Sequence, residues 1–114
     1  SDLAAVKEVI SACAELAGVE SVADGEYPGW QPNLDSQILS LAKKTYKSLF
    51  GKDSSHAAIH AGLECGIIGE KYPGIDMVSF GPTLEGVHSP DEKIAIDSVD
   101  KFWKFLLAIL NNVA

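Results

Sequence analysis

The chain has 114 residues, 46% of them hydrophobic and 22% charged, a composition suited to a folded domain rather than a disordered tail. Nine basic against sixteen acidic side chains leave a net charge of −7, which repels phosphate backbones and anionic bilayers and argues against nucleic acid or membrane partners. No run of about 18 apolar residues is present to span a membrane, and a domain of this size is expected to bury roughly two thirds of its unfolded surface.

In chain order, Leu3, Val6, Ile10, Cys13 and Ala17 recur at spacings of three and four, so residues 2–17 read as an amphipathic helix stopped by Gly18. The start, Ser1-Asp2-Leu3, has neither a basic stretch nor an initiator Met, and no signal peptide is expected. Residues 19–27 read as a strand of imperfect alternation. Pro28 and Pro32, with Gly29 and Trp30 between them, break regular structure and mark the best boundary in the chain.

Asn33 or Asp35 is placed to cap a second helix running to Phe50, with Ile38, Leu41, Ala42, Thr45 and Leu49 inward and Lys43, Lys44 and Lys47 toward solvent. Gly51 suits its terminus. Residues 56–60 form a short expected strand, residues 63–71 a short helix interrupted by Gly66 and Gly69, and residues 76–80 a third strand after the Tyr72-Pro73-Gly74 turn. A loop over residues 81–92 leads into a last helix from about Asp97. Its broad apolar face of Val99, Phe102, Trp103, Leu106, Ile109, Leu110 and Val113 implies a deep core position. Strands alternating with helices predict an α/β fold with a largely parallel sheet.

Two isolated thiols, Cys13 and Cys65, lack CxxC spacing; they are expected reduced and partly buried, as in a cytoplasmic protein. Cys65 has no base at a defined spacing and does not read as a nucleophile. The lysines at 43, 44 and 47 are a solvated helix face.

Two segments carry the chemistry. His88 follows an apolar strand in a loop stiffened by Pro82 and Pro90, a common setting for a zinc-ligating imidazole. From the residues alone, an exposed loop histidine without a role is the stronger reading; the resemblance given below reverses that order. The second segment, His60-Ala61-Gly62-Leu63-Glu64-Cys65-Gly66, hands a strand over to a helix, where Gly62 can admit a close ligand and the helix start can face an anion. Glu64 can also serve there simply as a first-turn acid.

The two segments together, with the string Gly81-Pro82-Thr83 through His88-Ser89-Pro90-Asp91-Glu92, resemble the C-terminal part of the Xaa-His (aminoacyl-histidine) dipeptidases, within the superfamily of two-zinc aminoacylases and carboxypeptidases. The resemblance extends over nearly the whole chain. It implies that His88 holds one of two zinc ions, and that His60, Gly62 and Glu64 belong to the substrate pocket, Glu64 as an acceptor for a substrate imidazole N–H. It further implies that residues 1–28 are the end of the lid domain, a helix–strand remnant, with a hinge around Trp30, and that residues 29–114 are the C-terminal part of the metallopeptidase catalytic domain.

Two-metal hydrolysis needs ligands for both ions, a bridging carboxylate and a general base. The superfamily's His-x-Asp and Glu-Glu motifs do not occur in the chain, and Asp91-Glu92 reads as a solvated helix-entry pair. The segment is therefore expected to hold no catalytic residue and, alone, to be inactive and to bind zinc poorly.

The resulting expectation is a cytoplasmic zinc dipeptidase that cleaves small Xaa-His dipeptides by a metal-activated water, this chain being a piece of it. Another amidohydrolase of the superfamily, or a non-catalytic binding or oligomerisation module, is the alternative. Self-association into a homo-oligomer is also expected, since a piece of such a domain leaves apolar faces and strand edges uncovered.

Overall fold

A computed structural model describes residues 2–57 and 64–113. Their elements are α1 (Asp2–Leu16), α2 (Gln37–Phe50), α3 (Glu64–Lys71), β1 (Leu84–Glu85), β2 (Lys93–Ile94) and α4 (Ile96–Val113). The chain is a small α/β unit, mostly helical.

The best-built part is the α2–α4 pair. Ser36, not Asn33 or Asp35, caps α2: its Oγ accepts the Leu39 N–H at 3.0 Å. Asn33 instead accepts the Asp35 N–H at 3.0 Å, a local turn that delivers the chain to the cap. Gly51 ends the helix at φ 67°, where a residue without Cβ adopts the left-handed conformation freely, and its N–H closes onto the Lys47 carbonyl.

Ala42 of α2 packs with Phe105 and Ile109 of α4, ringed by Ile38, Tyr46, Phe50 and Phe80. The Phe105 ring meets Tyr46 edge-on at 5.4 Å and Phe80 at 4.9 Å. Lys101 fastens the seam from the α4 side, donating to the Tyr46 hydroxyl at 2.6 Å with its ammonium 4.8 Å from the Tyr46 and Phe50 ring centres.

Several expectations are corrected. Residues 19–27 and 76–80 form no ladder among the described residues, where the one sheet is the antiparallel hairpin pairing Leu84 with Ile94 and Glu85 with Lys93. A strand needs a partner for its backbone groups, and neither segment finds one within the described chain. The expected strand at 56–60 begins as irregular chain at His56 and Ala57, and its remainder lies outside the described residues. The loop over 81–92 contains β1 and the turn that joins it to β2. Trp103 and Leu110, expected in the core, are 55% and 58% exposed; Phe105 takes the inward position instead. Cys13 is exposed rather than partly buried, while Cys65 is half-buried; both are free thiols.

The surface is correspondingly large. A folded protein of this mass exposes about 6,000 Å² by the usual scaling, whereas this chain exposes 9302 Å². It therefore buries about half of its extended-chain surface, not two thirds. The radius of gyration, 19.1 Å against about 13 Å for a compact chain of this length, gives the same result. α1 illustrates why: it has no buried residue, and Leu3, Val6, Val9 and Ile10 are at least half exposed. Its link to the segment that follows is the Lys7–Glu26 ion pair at 2.9 Å.

Candidate metal-ligand turn and its surroundings

His88 lies in the turn between β1 and β2, and the local sequence explains that turn. Gly86 has φ 62°, and a Cβ there would come within 3.0 Å of the Asp91 carbonyl oxygen, so the turn is too tight for a side chain at this position. The Ser89 hydroxyl donates to the Gly86 carbonyl at 2.6 Å and accepts the Asp91 N–H at 3.2 Å. The Ser89 N–H also reaches the Gly86 carbonyl, and the Glu92 N–H reaches the Ser89 carbonyl.

Behind the turn, the Ala95 N–H donates to the Thr83 carbonyl, and the Thr83 N–H donates to the Ser98 hydroxyl at 2.9 Å. The hairpin is thereby joined to the first turn of α4. The turn is held at its base by the β1–β2 ladder and at its middle by Ser89.

His88 is exposed and has φ 63°, the one positive φ of a non-glycine residue among the described residues. A non-glycine residue in this region costs on the order of 1–2 kcal/mol. The backbone is held there by a bond from the His88 N–H to the Glu92 carboxylate at 3.0 Å. That bond, solvent-exposed and therefore screened, offsets part of the conformational cost. The bond engages the main chain and takes neither ring nitrogen.

Glu64 is the first residue of α3 and is exposed, the position of a first-turn acid. His60 and Gly62 lie outside the described residues. Two clefts bordered by described residues lie elsewhere. One, about 800 Å³, opens between residues 26–33, α3 and residues 74–77; neither His88 nor Glu64 lines it. A second, about 950 Å³, lies against Trp30, Tyr46, His56, Phe80 and Phe102, again without either residue.

The sequence did not single out Asp76 or Glu92. Asp76 closes the start of α2 from outside: its carboxylate bonds to the Ser36 side chain and accepts the Ile38 N–H at 3.0 Å. Those bonds, the Ser36 contact foremost, hold its carboxyl below the ordinary value of 3.8. For Glu92 a signal existed, a carboxylate four residues after the histidine. The adjacent Asp91 made the two look like a solvated pair.

His88 suits zinc as a single nitrogen donor. No group of three or more His, Cys, Asp or Glu side chains that could hold a metal occurs among the described residues, so further ligands would come from outside them. Nor is any described helix long and apolar enough to cross a membrane.

Residues 5–112 match the model of a family described as peptidase family M20/M25/M40. The chain is 44% identical over 108 residues to the cytosol non-specific dipeptidase of Escherichia coli (strain K12), a match covering 95% of this chain and 22% of that protein. It is also similar to the crystal structure of an aminoacylhistidine dipeptidase from Vibrio alginolyticus, with a TM-score of 0.70 and 45% identity. That match covers 96% of this chain and 22% of the other. The chain thus spans about a fifth of the length of the relatives it matches.

Proposed function

Because the chain belongs to the M20/M25/M40 peptidase family, we propose that it is the C-terminal part of a cytoplasmic, zinc-dependent dipeptidase that hydrolyses dipeptides, those ending in histidine among them. The observation that carries this reading is the match itself: 44% identity over 95% of the chain to a protein named as a dipeptidase. The His88 turn supports it. A histidine in a costly backbone conformation, locked by its own hydrogen bond at an exposed tip, fits a residue that holds a ligand in one direction.

In this reading His88 supplies one nitrogen to one of two zinc ions. Zinc, when bound, activates the attacking water and polarises the scissile carbonyl. The general base and the remaining ligands lie beyond this chain, which by itself is inactive. Glu64, with His60 and Gly62 near it in sequence, faces the substrate's C-terminal residue and accepts a hydrogen bond from its imidazole N–H.

Residues 1–28 are the end of a lid domain, residues 29–114 belong to the catalytic domain, and Pro28 and Pro32 flank the hinge between them. The segments 19–27 and 76–80, which lack ladder partners here, pair with strands of the rest of the protein, the latter as part of a mostly parallel sheet. Association of the intact enzyme into a homo-oligomer completes the proposal; the large exposed surface of α1 supports it.

The test is metal stoichiometry and hydrolysis on the intact protein and its His88→Ala variant. Two tight zinc ions in the parent, weaker zinc binding and lost hydrolysis of an Xaa-His dipeptide in the variant, are the expected results. Unchanged zinc binding after His88→Ala would remove His88 from the site. Hydrolysis of acylated amino acids in preference to dipeptides would move the protein to the aminoacylase branch.

A further inference from the structure

Given the reading of His88 as a zinc ligand, we infer that Glu92 is its positioning residue, acting through the main chain rather than on the metal. The tip of the turn, Val87 and His88, is spanned by the Ser89 bonds to the Gly86 carbonyl, and Glu92 adds a second restraint on His88 itself. Glu92 stands directly before β2, and its own N–H bonds to the Ser89 carbonyl, so its backbone is fixed. From that fixed point its carboxylate reaches back four residues and takes the His88 N–H at 3.0 Å. The Gly86–Ser89 turn, closed by the Ser89 N–H on the Gly86 carbonyl, has His88 as its third residue. Without the Glu92 bond that turn alone restrains His88, and the residue is freer to leave φ 63° for the ordinary helical or extended regions. Such a change swings the Cα–Cβ bond to a new direction and takes the imidazole with it.

A ligand that must be re-aimed on binding loses affinity even though its nitrogen is unchanged. Asp91 provides an internal comparison. It carries the same charge one residue away, but its described bond is made by its N–H to Ser89, so its carboxylate does not restrain His88.

Reach and charge separate cleanly in the substitutions. Glu92→Gln keeps an oxygen at the same length and loses the charge. Glu92→Asp keeps the charge and loses the reach. Asp91→Asn removes a neighbouring charge and leaves the His88 bond intact.

The experiment measures zinc affinity of the intact protein by competition with a chromophoric chelator, together with the visible absorption of the cobalt-substituted form. Glu92→Ala and Glu92→Asp are expected to weaken one zinc site by about 10–100-fold and to alter the cobalt bands. Glu92→Gln is expected to stay within about threefold of the parent, as is Asp91→Asn, both with parent-like cobalt bands. If Glu92→Ala does not fold, the Gln and Asp variants decide alone. Parent-like affinity in Glu92→Asp with loss in Glu92→Gln would show that charge matters and reach does not, and would overturn the inference. His88→Ala serves as the check on the premise: if it binds zinc as the parent does, His88 is not a ligand. If it loses zinc while the Glu92 variants do not, the premise stands and Glu92 is not the positioning residue.

Discussion

Gly66 lies so close beneath Pro28 that a Cβ built on it would stand 2.3 Å from the Pro28 carbonyl oxygen. α3 is thus seated against the start of the proline-flanked segment through a backbone-to-backbone approach that only glycine allows. The obstacle is a carbonyl, which cannot swing aside as a side chain does.

Gly69, one turn of α3 later, offers the contrast. A Cβ there would meet the terminal carbon of Met77 at 2.9 Å, the mobile end of a flexible side chain. Gly66→Ala is therefore expected to destabilise the intact protein by about 1–3 kcal/mol through overpacking. Gly69→Ala should be near neutral, since Met77 can move and alanine gains up to about 1 kcal/mol of helix propensity. Urea unfolding of the two variants beside the parent reads the difference directly. Equal effects would mean that α3 shifts freely away from Pro28.

Asp76 is expected to make stability pH-dependent at the acid end. Its folded-state pKa lies below the ordinary 3.8, because the Ser36 side chain and the Ile38 N–H favour the charged form. The contribution is thus fully present above about pH 4 and is lost as the pH falls through the lowered folded value. Asp76→Ala should reduce the melting temperature at neutral pH, and the gap to the parent should close as the pH approaches 2. A gap that stays constant over that range would show that the carboxylate's charge plays no part at the α2 cap.

Phe105 is the hub of the α2–α4 seam, 9% exposed and in edge contact with two other rings. Phe105→Ala is expected to cost about 3–5 kcal/mol, the range for emptying a buried aromatic site. Phe105→Leu should recover part of that loss because it refills the site but makes no ring contacts. Chemical denaturation of both variants measures the two terms separately.

The sequence announces α2 and α4 clearly, and the reasons lie in particular residues. Ala42 and Thr45 in α2, and Leu106 and Ile109 in α4, recur with helical period, and Gly51 stands where a left-handed cap belongs. What periodicity could not decide was which part of α4's broad apolar arc faces α2, since Trp103 and Phe105 are equally apolar and lie on opposite sides of the helix. The segments 19–27 and 76–80 have strand-like composition, but pairing is a property of two segments, and one cannot announce the other. The β1–β2 hairpin, two residues per strand, is too short for alternation to register.

At the candidate site the histidine was legible from its motif and the backbone angle was not. φ 63° at His88 follows from the Glu92 bond and the Gly86 and Ser89 turn acting together. Asp76 was missed for a related reason: it caps a helix whose start lies 38 residues earlier in the chain, and no local pattern carries that pairing.

A second apolar stripe on α4 carries the last prediction. Val99, Trp103, Leu107 and Leu110 are each between 41% and 58% exposed, and their spacing of three and four places them on one face, away from the Phe105–Ile109 seam. A helix apolar on two faces belongs between two layers. The chain has roughly 3,300 Å² more surface than a folded protein of its mass exposes, and it matches about a fifth of its relatives' length. The rest of the protein is the expected cover for this stripe. In the intact protein with every other tryptophan replaced by Phe, Trp103 should therefore emit at blue-shifted wavelengths and resist quenching by acrylamide. In the 114-residue chain carrying Trp30→Phe it should be readily quenched. Ready quenching in the intact protein would mean that this face of α4 stays open to solvent, and the two-layer placement of the helix would be wrong.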